Sequence, residues 1–340
     1  MLWTSSIVVN SWLYIDGGEY YVQGATSYGN LILGLTNFKN EVLWWIPEIS
    51  SFEAFGGQPY TATTNSIWSL KPDGNGAGTW SEKTSPSDTF WQSVTWPCYG
   101  SNAASSTNGY ILGGYAQYGN TLGAITGMIE LGFANSLSNS TNITTAGQYS
   151  SSGMSGDGAA QFVASFGETG ILVLLSGKAP LSSFDTNSML RPMSNITIYD
   201  PSSMLWYSQT ATGDVPGSRC DICIVGAQST NSSTFEIYSF VYGGWTGSFS
   251  ATDNQDSQNV YILTLPAFRW IRVSASTAPR AGSSCQIVNS QMISVGGWDP
   301  TGTSSYSNRT VPSIVGQSSS KSSFYHQLSY NRNSSTFNAY

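Results

Sequence analysis

The sequence predicts an all-β fold built from a repeated unit, and three observations lead to this prediction. Only 9% of the 340 residues are charged, while glycine and aromatic residues are abundant, a composition that fits many short strands and turns. Apolar runs of strand length end in a glycine pair or a Ser-Gly variant of it at six places. A second pattern, a strand followed by a Pro-containing turn and a Trp, recurs between them. Such a unit cannot bury its apolar face alone, so neighbouring units must stack.

The runs that close on glycine are predicted to be equivalent strands of successive units. Their spacing is loose, as expected when loops of different length interrupt a repeating four-stranded unit. Glycine suits the end of these strands because the chain must leave the crowded centre of a ring through φ values that side chains disfavour. The runs are 13–18, 52–57, 110–114, 172–177 (ending in Ser-Gly), 240–244 and 292–297.

The strand–turn–Trp pattern supplies the second half of the unit. A large indole at a fixed place in each unit suits packing between adjacent sheets. The unit around 127–142 lacks the Trp, and no strand–turn–Trp follows Gly297. The pattern occurs at 65–80 (NSIWSLKPDGNGAGTW), 195–206 (NITIYDPSSMLW) and 259–270 (NVYILTLPAFRW).

The glycine pairs and the spaced Tyr and Trp residues together resemble the kelch repeat, over residues 8–300 and most closely over 195–299. Within that family the chain looks like the extracellular kelch-repeat proteins of fungi. The resemblance implies a β-propeller of about six four-stranded blades, placed here in residues 1–305. Residues 306–340 are rich in Ser and Asn and are predicted to form a disordered tail, which leaves complete and incomplete closure of the ring both open.

Charge and hydropathy exclude several classes of partner. The net charge is −7 and there is no Lys/Arg cluster, which argues against nucleic acid and against an anionic membrane surface. The longest apolar run, 170–175, is too short to span a bilayer, and the first residues of the chain as given show no secretion signal. The expected extracellular or cell-surface location therefore comes from the family resemblance.

Six N-x-[ST] sequons add nothing about the compartment, because the Ser, Thr and Asn content gives about as many by chance. They begin at Asn139, Asn142, Asn195, Asn231, Asn308 and Asn333.

The four cysteines leave two interpretations open. Cys220 and Cys223 have the spacing of a zinc or redox pair, but zinc needs two further soft or imidazole ligands and the chain has a single His. Cys223 and Cys285 occupy matching places in two repeats, which favours inward strand positions for both. A disulfide between Cys98 and Cys220 is the remaining alternative.

The residues do not assemble a recognisable catalytic site. Copper-radical oxidases of the same superfamily need two His ligands, whereas His326 stands alone in the predicted tail, so no metal or cofactor is expected. A Ser or Cys triad lacks its imidazole for the same reason. A glycosidase pair is defined by separation in space, so it stays an alternative to solvated loop acids. The acids considered are Glu19, Asp157, Asp253, Asp256 and Asp299.

Binding is the function that the sequence favours. The residues that follow each glycine pair are expected on loops at one face of the ring, where aromatics with scattered acids suit a glycan or a protein partner. Packing against neighbouring loops is the alternative for them. The prediction is a non-catalytic, secreted or cell-surface module; a carbohydrate-active enzyme and an intracellular kelch scaffold are the alternatives. The candidate binding residues are Glu19, Tyr20, Tyr60, Tyr115, Tyr118, Trp245, Trp298 and Asp299.

Overall fold

Six β-sheets surround an axial channel in the computed structural model of the chain. The structure describes the chain except residues 1–4, 10–11, 17–18, 21–28, 31–37, 60–66, 76, 84–88, 119–120, 134–136, 138, 180–189, 229–234, 241–243, 249, 251, 255–256, 258, 274–278, 289–290, 302–324, 332–335 and 340. Within the described residues, no helix is long and apolar enough to cross a membrane.

The fold consists almost entirely of strands. The helical elements of the described residues are α1 (Thr89–Ser93) and a 3₁₀ turn at Pro47–Ile49. The strands are β1 (Ser5–Val9), β2 (Trp12–Asp16), β3 (Glu19–Tyr20), β4 (Gly29–Asn30), β5 (Phe38–Ile46), β6 (Ser51–Pro59), β7 (Ile67–Pro72), β8 (Gly78–Lys83), β9 (Ser101–Ala104), β10 (Asn108–Leu112), β11 (Tyr115–Tyr118), β12 (Thr121–Ala124), β13 (Met128–Gly132), β14 (Thr141–Ile143), β15 (Gly156–Val163), β16 (Ile171–Lys178), β17 (Asn195–Asp200), β18 (Leu205–Thr210), β19 (Thr212–Gly213), β20 (Cys223–Gln228), β21 (Phe235–Phe240), β22 (Val260–Leu265), β23 (Arg269–Val273), β24 (Ala281–Val288), β25 (Gln291–Trp298), β26 (Tyr325–Asn331) and β27 (Thr336–Ala339).

Five of the sheets share one antiparallel order, with the first strand at the channel and the fourth outermost. Blade 1 is β5–β8, blade 2 is β9, β10, β13 and β14, blade 3 is β15–β18, blade 4 is β20–β23, and blade 5 is β24–β27. β19 extends blade 4 by pairing in parallel with β23. Blade 6 is the β1–β2 hairpin. The predicted runs 52–57, 110–114, 172–177 and 292–297 lie in or directly end the second strands β6, β10, β16 and β25, which confirms the repeat in these blades. The glycines of runs 13–18 and 240–244 lie outside or at the edge of the described residues.

The ring closes through the N-terminal hairpin. The inner strands contact one another in the order β9, β15, β20, β24, β1, β5. Blades 1 and 2 complete the circle by packing Trp44 and Ile67 against Ile111. At the junction of blades 5 and 6, the Ser284 hydroxyl donates to Ser6 Oγ at 2.7 Å, and Gln286 Nε2 donates to the Ser6 carbonyl at 2.7 Å.

Two described parts of the C-terminal segment, 325–331 and 336–339, form strands, whereas the whole of 306–340 was predicted to be a disordered tail. β26 pairs with β25 and β27 with β26, so both complete blade 5. The stretch QLSYN within β26 alternates polar and apolar residues with the period of a strand, a signal that the surrounding Ser/Asn composition hides. His326 lies in β26 opposite Ser294. The predicted boundary at residue 305 falls outside the described residues.

The hydrophobic core lies largely between adjacent blades. Trp270 of β23 is fully buried between blades 3 and 4, and its Nε1 donates to the Met193 carbonyl at 2.9 Å, as the repeated indole predicts. Cys223 and Cys285 lie buried on the inner strands of blades 4 and 5, as their matching places indicate. The structure joins them in a disulfide and leaves the other two cysteines, Cys98 and Cys220, as buried thiols. The alternative of a Cys98–Cys220 disulfide is therefore wrong.

Candidate functional site

The glycines that end the second strands bring blades 1, 2 and 3 each close to the next blade at one end of the ring, which we call the glycine end. Gly113 and Gly114 have φ of +61° and +95°. A Cβ on Gly113 would lie 2.3 Å from the Ser155 carbonyl oxygen of the following blade. The N–H of Gly114 donates to that same carbonyl at 2.7 Å. Glycine is needed here both for the left-handed backbone and for this approach.

Blade 3 achieves the same contact without its first glycine. Ser176 occupies that place with φ of +64°. Its hydroxyl donates to the Arg219 carbonyl of blade 4 at 2.5 Å, and Gly177 donates to the same carbonyl at 3.2 Å. The polar side chain thus turns a close approach into a hydrogen bond, which explains the Ser-Gly variant in the sequence.

The residues after the glycine pairs form a buried belt beneath the loops of the glycine end. We define the belt as Tyr115, Lys178, Trp245 and Trp298, which are all less than 7% exposed. The Lys178 ammonium lies 5.3 Å from the centre of the Trp245 ring, and Trp245 meets Trp298 edge-on at 6.3 Å. Tyr115, Trp245 and Trp298 were predicted on loops at one face of the ring, with packing as the alternative, whereas Lys178 was not predicted. All four side chains are buried because each packs against its own or a neighbouring blade.

An ion pair holds the belt to the inner strands. Asp157 is buried in β15, and its Oδ2 lies 3.0 Å from Lys178 Nζ and 3.5 Å from the Tyr115 hydroxyl. Burial raises the pKa of Asp157 against the opposing effect of Lys178. Burial is the largest single effect and disfavours the Lys178 ammonium, but Asp157 acting together with Cys220 and Asp221 outweighs it and raises the pKa of Lys178. The pair is a structural contact between the first two strands of blade 3.

Two thiols beside this pair are held in the protonated form. Burial, helped by Asp157, raises the pKa of Cys98 to about 12. Burial also raises the pKa of Cys220 well above its usual value, with Asp221 adding to the effect. Because the thiolate is the nucleophile and the metal ligand, such cysteines are inert near neutral pH. Within the described residues, no group of three or more His, Cys, Asp or Glu side chains could hold a metal ion.

The axial channel opens beside the belt and encloses about 240 Å³. The first strand of every blade contributes residues to its wall. Asn102 is exposed although it lies within β9, because it faces the channel. Asp157, Asp221 and Gln286 also contribute to the wall, with the Asp157 carboxylate engaged by Lys178.

One loop at the glycine end is built around a buried amide that the sequence did not single out. Asn254 is 1% exposed and lies between β21 and β22 of blade 4. The two N–H donors of its Nδ2 are shared among the carbonyl oxygens of Ser248, Ser250 and Pro300, which lie at 2.8, 2.9 and 3.2 Å. The contact with Pro300 ties this loop to blade 5. The polar run around Asn254 gave no signal that distinguishes this amide from its exposed neighbours.

The other predicted binding residues are dispersed. Asp299 is partly exposed, and its Oδ1 accepts hydrogen bonds from the Thr301 amide and hydroxyl at 2.8 and 2.6 Å. Glu19 and Tyr20 form β3. Tyr118 ends β11. Tyr60 lies outside the described residues. The binding role of all these residues stays a prediction.

Comparison with known proteins gives one informative match. No protein-family model matches the chain. A curated protein of Arthroderma benhamiae (strain ATCC MYA-4681 / CBS 112371), described as a Kelch repeat-containing protein, is 31% identical over 163 residues. The aligned part is 46% of this chain and 23% of that protein, so the chain matches about a quarter of the relative's length.

Proposed function

We propose that this chain, which is similar to a kelch-repeat protein and folds as a β-propeller, is a non-catalytic module that acts outside the cell. In this proposal it binds a protein or glycan at its glycine end. The observation that carries this proposal is the hydrogen bonding of Asn254 in the loop of blade 4. Buried Asn254 fixes that loop against blade 5, while Thr252 and Asp253 stand exposed on it. A loop that is already held in place loses little conformational freedom on binding.

The chemistry beneath the loops supports binding rather than bond cleavage. Asp157 is engaged by Lys178, and the Cys98 and Cys220 thiols are held protonated by burial. These groups hold the ring together at its glycine end. The exposed Asn102 amide that lines the channel is suited to the hydroxyls of a glycan, which accept and donate hydrogen bonds.

The disulfide supports a location outside the cell. Cys223 and Cys285 bridge two blades, and disulfides persist in oxidising compartments while they are rare in the cytosol. The low content of charged residues and the resemblance to extracellular fungal proteins agree with this location.

A binding experiment with two matched charge reversals tests the proposal. The chain is screened against a glycan array and against secreted proteins, and each hit is measured again with Asp253→Lys and with Glu48→Lys. Both acids are exposed. Asp253 lies at the glycine end, whereas Glu48 lies in the turn between β5 and β6 at the opposite end.

The expected result is that Asp253→Lys weakens the hit at least about tenfold, a change of about 1.4 kcal/mol, while Glu48→Lys leaves it unchanged. Loss of binding with Glu48→Lys alone would place the contact surface at the opposite end and refute the proposal. Turnover of a bound glycan would refute its non-catalytic part.

A further inference from the structure

The outermost strand of blade 3 is an open sheet edge. β18 reads LWYSQT, without a charged residue or a proline, and among the described residues only β17 pairs with it. Met204, Leu205 and Tyr207 beside or within it are 73%, 54% and 49% exposed. A long, uncharged edge presents backbone N–H and C=O groups to any other strand, so native proteins cover or charge such edges.

The described outer strands of the other four-stranded blades have features that β18 lacks. β8 carries Glu82 and Lys83. β19 lies along β23 and pairs with it. β14 and β27 are short, with three and four residues. β18 is therefore the long outer edge that needs a cover from elsewhere.

A sequon begins beside this edge. Asn195 is exposed at the start of β17, pairs with Thr210 of β18, and is followed by Ile196 and Thr197. The Ser208 hydroxyl donates to Asn195 Oδ1 at 2.7 Å, which fixes the side chain alongside β18. Nδ2 is the atom that remains for attachment. A group on it stands about one strand spacing, ~4.8 Å, from the open edge.

We propose that Asn195 carries an N-linked glycan that shields the edge of β18. The inference rests on the extracellular location proposed above, because the sugar is attached in the secretory pathway. Nδ2 forms a bond to the anomeric carbon of an oligosaccharide carried by a lipid pyrophosphate. The bond from that carbon to the pyrophosphate oxygen breaks, Nδ2 loses one proton, and the lipid pyrophosphate leaves.

The buried half of the sequon sets the order of events. Thr197 is 3% exposed, and its Oγ1 accepts a hydrogen bond from Arg191 Nη2 at 2.9 Å. The hydroxyl that defines the sequon is inaccessible once blade 3 has formed. Attachment therefore precedes the folding of this blade, and the finished protein keeps the sugar on the exposed Asn195 side.

Two other described sequons provide internal controls. Asn139 and Asn142 are exposed in blade 2, at and before the three-residue strand β14. A glycan there borders no long edge. Modification at these positions is compatible with the inference, but its removal should leave association of the protein unchanged.

The first test is peptide mapping of the full chain secreted from yeast with a leader sequence, before and after treatment with an endoglycosidase that leaves one N-acetylhexosamine. The expected result is a peptide that contains Asn195 and carries that sugar. A secreted chain whose Asn195 is unmodified overturns this inference alone, whereas the proposed function is decided separately by the two charge reversals.

The second test asks whether the glycan shields the edge. Asn195→Gln and the control Asn142→Gln are compared with the wild type by size-exclusion chromatography with light scattering. We expect Asn195→Gln alone to lose its monomer peak as concentration rises, and Tyr207→Lys, which charges the edge, to restore it. An Asn195→Gln protein that stays monomeric like the control overturns the shielding role.

Discussion

The Cys223–Cys285 disulfide is predicted to supply a large part of the resistance of the ring to unfolding. The bond closes a loop across a sequence separation of 62 residues between blades 4 and 5. In the chain-entropy treatment, a loop of that length removes about 14 cal/mol/K from the unfolded chain, or about 4 kcal/mol at 25 °C. With an unfolding entropy of ~2.1 cal/mol/K per residue over the chain, this corresponds to a fall in Tm of about 6 °C on reduction.

The assay is thermal unfolding followed by circular dichroism, with and without a reductant. Cys98→Ala/Cys220→Ala keeps the disulfide and should lose the same few degrees as the wild type on reduction. Cys223→Ala/Cys285→Ala should have the Tm of the reduced wild type, and the reductant should not change it. A wild-type Tm that reductant leaves unchanged, or a response that disappears in Cys98→Ala/Cys220→Ala, would refute the assigned pairing.

Three further predictions concern single residues. Burial raises the pKa of Glu53 although Lys83 pairs with it, so the wild type loses stability as pH rises through that raised pKa. In urea unfolding between about pH 4 and pH 7, Glu53→Gln should therefore become increasingly stable relative to the wild type. A stability difference that stays constant with pH would contradict this. Gly113→Ala should cost about 1–3 kcal/mol more than Gly74→Ala, because both have positive φ but a Cβ meets a carbonyl only at Gly113; equal losses would argue against the close approach. Asn254→Ala should lower the free energy of unfolding by about 1–3 kcal/mol and speed amide hydrogen exchange in 246–257. Unchanged exchange would show that this amide does not hold the loop in place.

The repeat was predictable because its signals are local. A glycine pair after an apolar run reports the end of a strand, and a turn followed by Trp reports the start of another. The structure places 110–114 at the end of β10 and 259–270 across β22 and β23, as those patterns predict. Both patterns depend on backbone conformation and packing within one unit, so they can be identified without knowing which units become neighbours.

The site was less predictable because its contacts join different blades. The sequence indicates where the strand before Trp245 ends, but its burial depends on Lys178 and Trp298, which approach from the two adjacent blades. The closure by Ser6 and Ser284 joins residues 278 positions apart. No local pattern records such a contact, so the sequence identified the strands but could not decide between the two alternatives for the aromatics that follow them, and Tyr115, Trp245 and Trp298 are the ones that pack.

The most direct test of the closed ring is an engineered bond between its ends. The Ser6 and Ser284 hydroxyls are 2.7 Å apart, so Ser6→Cys/Ser284→Cys should form a disulfide on mild oxidation, detected by mass spectrometry of unreduced peptides. Ser6→Cys/Ser203→Cys, whose second site lies in the exposed turn before β18 on blade 3, should stay reduced. A closed six-bladed ring predicts the first bond and excludes the second. Free thiols at positions 6 and 284 under the same conditions would contradict it.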